Sequence, residues 1–322
     1  MEEKKSIWNR KGVLLATACF CCALWGSAFP CIKVGYRIFS IAQGDAASQL
    51  LFAGLRFFLA GILALAFGSL LQRKWLLPHK STIGPIAALA TFQTVGQYIF
   101  FYIGMAHAVA TRASILNGAG TFITIIIAVF IFRYEKLTTR KIAGCLVGFA
   151  GVVLIETAGQ TVDIGFALNG EGFILISMVS GGIATNLIKR FSQKENPVVL
   201  SGCQFMLGGL VLTVLGLLGG GRMIVPSAAS LLLLLYMAFI SSAAYTLWGI
   251  LLKYNPVSLV SIFKFVTPVA GVLLSALILK EYDHAFSLYT ILSLMLVCLG
   301  IVILFVAGGN GSKPLVKKGL SR

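Results

Sequence analysis

The chain has 322 residues, of which 58% are apolar and only 11% charged, and this balance excludes a soluble enzyme, a disordered chain and a secreted disulfide scaffold. The formal net charge is +16, but the basic residues are scattered singly between apolar runs, so we expect no nucleic-acid partner. A multi-span membrane protein explains both features, because its cytoplasmic loops carry an excess of Lys and Arg.

Ten apolar segments follow one another along the chain, and most are near the ~20 residues that cross the hydrocarbon core of a bilayer. Strands of a membrane barrel would be about half as long and would alternate in polarity, so the segments are predicted to be helices. The segments are 13–32, 49–71, 83–106, 113–132, 142–155, 172–188, 198–218, 228–252, 257–279 and 285–307. The fifth is short, and it counts as a span only if it continues into Glu156 and Thr157.

The distribution of basic residues predicts the orientation of these helices. With a cytoplasmic N-terminus, nineteen Lys and Arg residues fall in the predicted interior segments and four in the exterior ones. The remaining three, Lys33, Arg56 and Lys264, lie within spans. This asymmetry favours ten transmembrane helices with both termini in the cytoplasm.

Three ordered similarities indicate an internal repeat. Residues 56–61 resemble 204–209, residues 131–135 resemble 278–281, and residues 151–154 resemble 300–303. Each unit holds five helices, an odd number, so the second unit is inverted relative to the first, as in many secondary transporters. We therefore predict an all-α integral membrane protein of two inverted five-helix repeats, 1–160 and 161–310, followed by a basic cytoplasmic tail, 311–322.

These residues carry a resemblance to a known family. Helix 1 reads Trp-Gly-Ser-Ala-Phe-Pro over residues 25–30, Glu135 and Glu281 each end a span before a Gly-rich helix, and Thr267 precedes Pro268. From Gly12 to Ala307 the chain resembles the drug/metabolite transporter superfamily, specifically its ten-helix group with two EamA repeats. It departs from that pattern at Phe122, where the second half has Pro268, and at Ala28, where many relatives carry Asn. The resemblance implies an exporter of metabolites or amino acids.

Charged residues within spans are candidates for contact with a solute, because a charge at the centre of a span costs about 2.5–3.5 kcal/mol on insertion scales. Lys264 lies one turn before Pro268, a predicted hinge, and suits the acidic group of a solute. Arg56 lies deep in helix 2, and its repeat mate is the neutral Gln204. Lys33 follows the second predicted hinge, Pro30. For the two lysines, extension toward the membrane surface is the open alternative, and for Arg56 a structural role.

Uncharged polar and aromatic residues on several spans complete the predicted cavity. Gln93 and Gln97 share one face of helix 3, next to Tyr98. Each such residue alone is explained equally well by an interhelical hydrogen bond. The other members of the set are Trp25, Asn117, Asn186, Tyr245 and Trp248.

Several chemical patterns are missing from the sequence. It has no metal-binding helix motif, no phosphate-binding loop and no paired carboxylates at catalytic spacing, and its seven cysteines contain no C-x-x-C pair. All ten acidic residues lie at span ends or in loops, and the three histidines lie near the interfaces. We expect no enzyme activity, no metal and no cofactor, and transport by facilitated diffusion or exchange without proton coupling.

Together these features predict a permease in the cell membrane. Its solute would be a small organic metabolite, anionic or zwitterionic, such as an amino acid or a related compound, moved by alternating access. A nucleotide-sugar or sugar-phosphate exchanger and a non-transporting membrane scaffold are the alternatives. The expected partners are the solute and the lipid bilayer, with a homodimer left open. Lys264→Met is expected to weaken solute binding by about 1.5–3 kcal/mol.

Overall fold

A computed structural model describes residues 6–42, 44–108, 110–157, 166–224, 227–279 and 288–307. These residues form helices joined by loops and contain no strand. We label ten helical segments α1 to α10 in chain order. Six are continuous α-helices: α1 (Lys11–Ile38), α2 (Ala46–Gln72), α5 (Thr139–Glu156), α7 (Pro197–Leu218), α8 (Ala228–Tyr254) and α10 (Leu288–Ala307).

The other four segments change helix type along their length. Segment α3 joins Ile83–Leu89, a π-helical stretch Ala90–Gly96 and Gln97–His107, whereas α4 joins Ala110–Ile126 to a π-helical Ile127–Ile131. Segment α6 begins with a π-helical Leu168–Gly172 and continues as Phe173–Phe191. Segment α9 joins Val257–Ser261, a 3-10 turn Ile262–Phe265 and Val266–Leu279. Short 3-10 turns at Ile7–Asn9 and Lys80–Thr82 precede α1 and α3.

Polar residues at the expected positions fix where several helices begin. Asp45 caps α2, because its carboxylate accepts a hydrogen bond of 2.9 Å from the Ser48 backbone N–H. This bond and one from the Ser48 hydroxyl lower the pKa of Asp45 below its ordinary value. Ser227 and Ser230 form a reciprocal capping box at the start of α8.

Eight segments within the described residues are long and apolar enough to cross a membrane: α1, α2, α3, α6, α7, α8, α9 and α10. Segment α4 contributes a shorter apolar helix, Leu116–Ile131. The remaining segment, α5, carries Arg140, Lys141 and Glu156 among its 18 residues. Helices and an apolar bundle are therefore confirmed, whereas ten spans and the side of each terminus stay predictions.

The pattern of helix packing reflects the repeat. Segment α1 packs against α8 and α9, and its counterpart in the second half, α6, packs against α3 and α4. The second helices of the two halves, α2 and α7, form the most extensive contact, and the fifth helices, α5 and α10, pair in the same way. Each of these contacts of a first-half helix is thus matched by a contact of the corresponding second-half helix, as expected for two equivalent five-helix units.

Glycines permit the helices to approach closely in both the α2–α7 and the α5–α10 contact. A Cβ atom added to Gly209 of α7 would lie 2.4 Å from the Phe58 backbone N of α2. In the α5–α10 pair, a Cβ on Gly300 would lie 2.6 Å from the Gly144 carbonyl oxygen. Small residues at helix crossings are the usual means of packing helices in a membrane, where lipid competes equally for apolar side chains.

Glu135, which marks the end of the fourth helix in the first repeat, joins the two halves. Its carboxylate accepts hydrogen bonds from the Ser258 backbone N–H at 3.1 Å and from the Ser258 hydroxyl, both at the start of α9. The Lys141 ammonium lies 2.7 Å from the same carboxylate. Its predicted repeat mate, Glu281, lies outside the described residues.

Candidate functional site

Arg56 is a cation buried among aromatic rings. It lies in the middle of α2 with only 4% of its surface exposed. Its guanidinium carbon lies 4.4 Å from the Phe57 ring centroid and 5.9 Å from that of Tyr98, at cation–π distance. Within the described part of the chain Arg56 has no ion pair, and its buried Nε has no hydrogen-bond partner.

Four aromatic side chains form a continuous row beside Arg56, which we call the aromatic row: Tyr98, Tyr245, Trp25 and Trp248. The Tyr98 and Tyr245 hydroxyls are 3.1 Å apart and share a hydrogen bond. The Trp25 ring lies edge-on to Tyr245, at 5.1 Å between centroids, and to Trp248, at 4.9 Å. The row therefore connects α3, α8 and α1, on both sides of the repeat boundary.

Lys264 lies at the opposite end of the row from Arg56. Its ammonium is 6.0 Å from the Trp248 ring centroid, and its side chain is half-buried. The residue belongs to the 3-10 turn of α9, and Pro268, which has no N–H to donate to the Lys264 carbonyl, follows in the next turn. The structure thus places an irregular turn next to the predicted hinge at Pro268. By contrast, α1 continues through the buried Pro30 as far as Ile38.

Four buried hydrogen-bond donors in and around the row find no acceptor among the residues that the structure describes. They are the indole N–H groups of Trp25 and Trp248, the Nε–H of Arg56 and the amide Nε2 of Gln204. Leaving a buried donor unpaired costs about 1–3 kcal/mol, so native interiors contain few of them. A bound group with several acceptor oxygens, such as a carboxylate, would satisfy donors of this kind.

The two halves contribute to this region unequally. Phe57 contacts Tyr98 at 4.6 Å, and the matching pair in the second half, Phe205 and Tyr245, lies at 5.0 Å. The two phenylalanines stack on each other at 5.1 Å. Gln204, the repeat mate of Arg56, accepts a 2.7 Å hydrogen bond from the Thr94 hydroxyl.

The equivalent bond is missing on the Arg56 side. Ser241 precedes Tyr245 by four residues, as Thr94 precedes Tyr98, but its hydroxyl donates to the Met237 carbonyl instead. Gln204 thus has its side-chain oxygen engaged, whereas no hydrogen bond engages the Nε of Arg56 among the described residues.

The other predicted site residues lie in different surroundings. Asn186 is fully buried and donates to the carbonyls of Thr124 at 3.1 Å and Gly182 at 2.9 Å, so its amide links α6 to α4. Gln97 is half-buried against Gly181 of α6. Gln93 is buried in the π-helical stretch, and its side-chain oxygen has no partner. The side chains of Lys33 and Asn117 are exposed.

Sequence reasoning did not include Phe57, Phe205, Tyr36 and Tyr102 among the site residues. Phe57 and Phe205 directly follow Arg56 and Gln204 in the repeated motif, so the repeat itself carried the signal. Tyr102 is one turn beyond Tyr98, with 6.1 Å between their ring centroids, and Tyr36 packs against the same buried cluster. Among the described residues, no three His, Cys, Asp or Glu side chains lie together as a metal site would require.

Comparison with known proteins identifies the family. The EamA-like transporter family matches twice, over residues 10–157 and 168–306. An uncharacterized transporter of Archaeoglobus fulgidus is 28% identical over 286 residues, covering 87% of this chain and 94% of the relative. A probable amino-acid metabolite efflux pump of Salmonella typhimurium is 27% identical over 274 residues, covering 80% and 84%. The uncharacterized inner membrane transporter YedA of Escherichia coli K12 is 24% identical, covering 78% of each chain.

A solved crystal structure has the same fold. It superimposes with a TM-score of 0.75 and 18% identity, covering 94% of this chain and 100% of the other. With the apolar helices described above, these relatives make the protein a multi-pass transporter of the cell membrane. The family matches cover both halves of the chain and confirm the resemblance predicted from its sequence. The chain belongs to the EamA-like transporter family, within the drug/metabolite transporter superfamily.

Proposed function

We propose that this transporter moves a small organic metabolite, anionic or zwitterionic, such as an amino acid or a related compound, by alternating access. The observation that carries the proposal is Arg56, a buried cation that has no counter-ion among the described residues. It lies beside a row of aromatic rings whose indole N–H groups find no acceptor in the same part of the chain. A solute carboxylate would accept from those donors and neutralise the guanidinium, while its apolar body would contact the rings.

Alternating access is supported by the symmetric packing of the two five-helix units. Two inverted units can exchange conformations so that a site between them opens to one side of the membrane and then to the other. The aromatic row lies across the boundary between the units, because Trp25 and Tyr98 come from the first and Tyr245 and Trp248 from the second. The amino-acid assignment draws on the printed name of the Salmonella relative.

A sugar-phosphate or nucleotide-sugar exchanger is the weaker candidate. A phosphate dianion is best held by two or more cations that act together. Here Arg56 and Lys264 lie at opposite ends of the aromatic row, with two tyrosines and two tryptophans between them.

Uptake into proteoliposomes tests the proposal and separates it from a membrane scaffold. The purified protein would be reconstituted and given pools of labelled amino acids and organic acids. We expect at least one pool to accumulate to its equilibrium level faster than in liposomes without protein. Equal rates for every pool, with protein that is folded and inserted, would support the scaffold instead.

A further inference from the structure

We infer that the aromatic row selects monocarboxylates with an apolar body and discriminates against solutes that also carry an ammonium group. The inference rests on the proposed function and narrows its class of solute. An anion needs only cations and hydrogen-bond donors around its carboxylate, whereas a zwitterion also needs a partner for its ammonium group. Arg56 would be the residue that binds the carboxylate, and Lys264 would contribute more weakly from the far end of the row.

The charges around the row favour an anion. Arg56 and Lys264 are both cations, and the row itself consists of uncharged rings. The acidic residues within the described ranges are Asp45, Glu135, Glu156, Glu171 and Glu195, and each lies in a loop or in a terminal turn of a helix. A solute ammonium would therefore enter a positively charged region where no carboxylate of the described ranges is placed to pair with it, and burying an unpaired charge is strongly unfavourable.

Aromatic faces could in principle hold an ammonium, but here the protein's own cations use them. The Arg56 guanidinium lies over Phe57 and Tyr98, and the Lys264 ammonium lies over Trp248. The Trp25 ring is in edge-to-face contact with Tyr245 and Trp248, so it packs within the row between the two cations.

Arg56 fits the role of carboxylate ligand better than Lys264. A guanidinium can donate two parallel hydrogen bonds to one carboxylate, whereas an ammonium acts as a point charge. The buried Nε of Arg56 also has no hydrogen-bond partner among the described residues. The repeat mate of Arg56, Gln204, is neutral, and its side-chain oxygen accepts a hydrogen bond from Thr94. The repeat pair therefore supplies one guanidinium, which suits one carboxylate.

Three probes that share a benzyl group and differ in charge test the inference: phenylacetate, the neutral phenylacetamide and zwitterionic phenylalanine. Binding to the purified full-length protein would be measured by isothermal titration, which does not require transport. We expect phenylacetate to bind at least about tenfold more tightly than either of the other two, the effect of one charged hydrogen bond. Phenylalanine binding as tightly as phenylacetate would overturn the inference.

Variants of Arg56 test whether this residue causes the preference for phenylacetate. Arg56→Gln copies the Gln204 side chain into the first half and should remove the preference for phenylacetate over phenylacetamide. Arg56→Lys keeps the charge and should retain a reduced preference, so it serves if the glutamine variant does not fold. Arg140→Gln, at an exposed position at the start of α5, is the matched control and should bind as the wild type does. A preference that survives intact in Arg56→Gln would overturn the inference.

The result is separable from that of the proposed function. If proteoliposomes accumulate a solute pool but the three probes bind with equal affinity, the protein is a carrier and the selectivity inference fails. If phenylacetate binds selectively but no pool is transported, the selectivity inference is supported and the proposed function fails.

Discussion

The surroundings of Arg56 explain why a charge is kept where the repeat would allow an amide. Its mate Gln204 is equally well buried and is satisfied on its oxygen by Thr94, so burial by itself demands no charge at this position. The Arg56 guanidinium lies against the rings of Phe57 and Tyr98, and no acidic side chain of the described residues pairs with it. A group of this kind is expected where a ligand supplies the missing charge.

The hydroxyl pair of Tyr98 and Tyr245 ties the two halves together at the centre of the row. Replacing either tyrosine by phenylalanine removes the 3.1 Å hydrogen bond but leaves both rings. We expect each single variant to lower stability by about 0.5–1.5 kcal/mol, and the double variant by less than the sum of the two. Thermal unfolding of the three variants in one detergent measures this coupling, and strictly additive losses would show that the two hydroxyls act independently.

Lys264→Met should weaken the binding of a carboxylate, but by less than Arg56→Gln does. Lys264 is a partly exposed residue, and its ammonium lies at the Trp248 end of the row, away from the guanidinium. The expected loss is therefore about tenfold or smaller, below the range suggested by the sequence. Titration of phenylacetate into both variants tests the order, and a larger loss for Lys264→Met would move the carboxylate site to α9.

At the scale of helices, the α2–α7 contact is the least tolerant of added volume. Gly209→Ala would bring a methyl group to 2.4 Å from the backbone of Phe58, so the two helices would have to separate. We expect a loss of about 1–3 kcal/mol, typical of overpacking. Gly84→Ala in α3 is the control, because nothing lies within 4 Å of its Cβ position. Similar melting temperatures for the two variants would contradict this description of the contact.

The structure also shows which elements could be predicted from the sequence and which could not. The apolar runs located the helices to within several residues, and the duplicated motif paired Arg56 with Gln204. The hydrogen bond between Tyr98 and Tyr245 spans 147 positions, and no local periodicity predicts such a contact. The π-helical stretch Ala90–Gly96 and the exposure of Asn117 likewise depend on how neighbouring helices pack.

At the scale of the whole molecule, the orientation predicted by the basic residues can be tested by labelling. Single cysteines at Lys74 and Asp163, in a background without the seven native cysteines, should react from opposite sides of the membrane. Lys74 is exposed beyond the end of α2, and Asp163 lies outside the described residues. Labelling of both positions by an impermeant reagent added to intact cells would refute the predicted alternation of spans.

Energy coupling also belongs to this scale. Carboxylates and histidines are the groups that most often carry protons through a membrane. The described ones lie in loops or at helix ends, including His79 and His107. We therefore expect an imposed pH gradient alone to produce no concentrative uptake in proteoliposomes. Accumulation that a protonophore abolishes would establish proton coupling instead.

The central claim is that Arg56 and the aromatic row form the solute site of an alternating-access carrier, and counterflow tests it most directly. Proteoliposomes loaded with unlabelled phenylacetate would be diluted into a trace of labelled phenylacetate, with wild type, Arg56→Gln and the control Arg140→Gln compared at equal protein content. We predict a transient overshoot of label for wild type and Arg140→Gln, reduced at least about tenfold in initial rate for Arg56→Gln. An overshoot of equal size in all three proteins, or none in the wild type, would contradict the account.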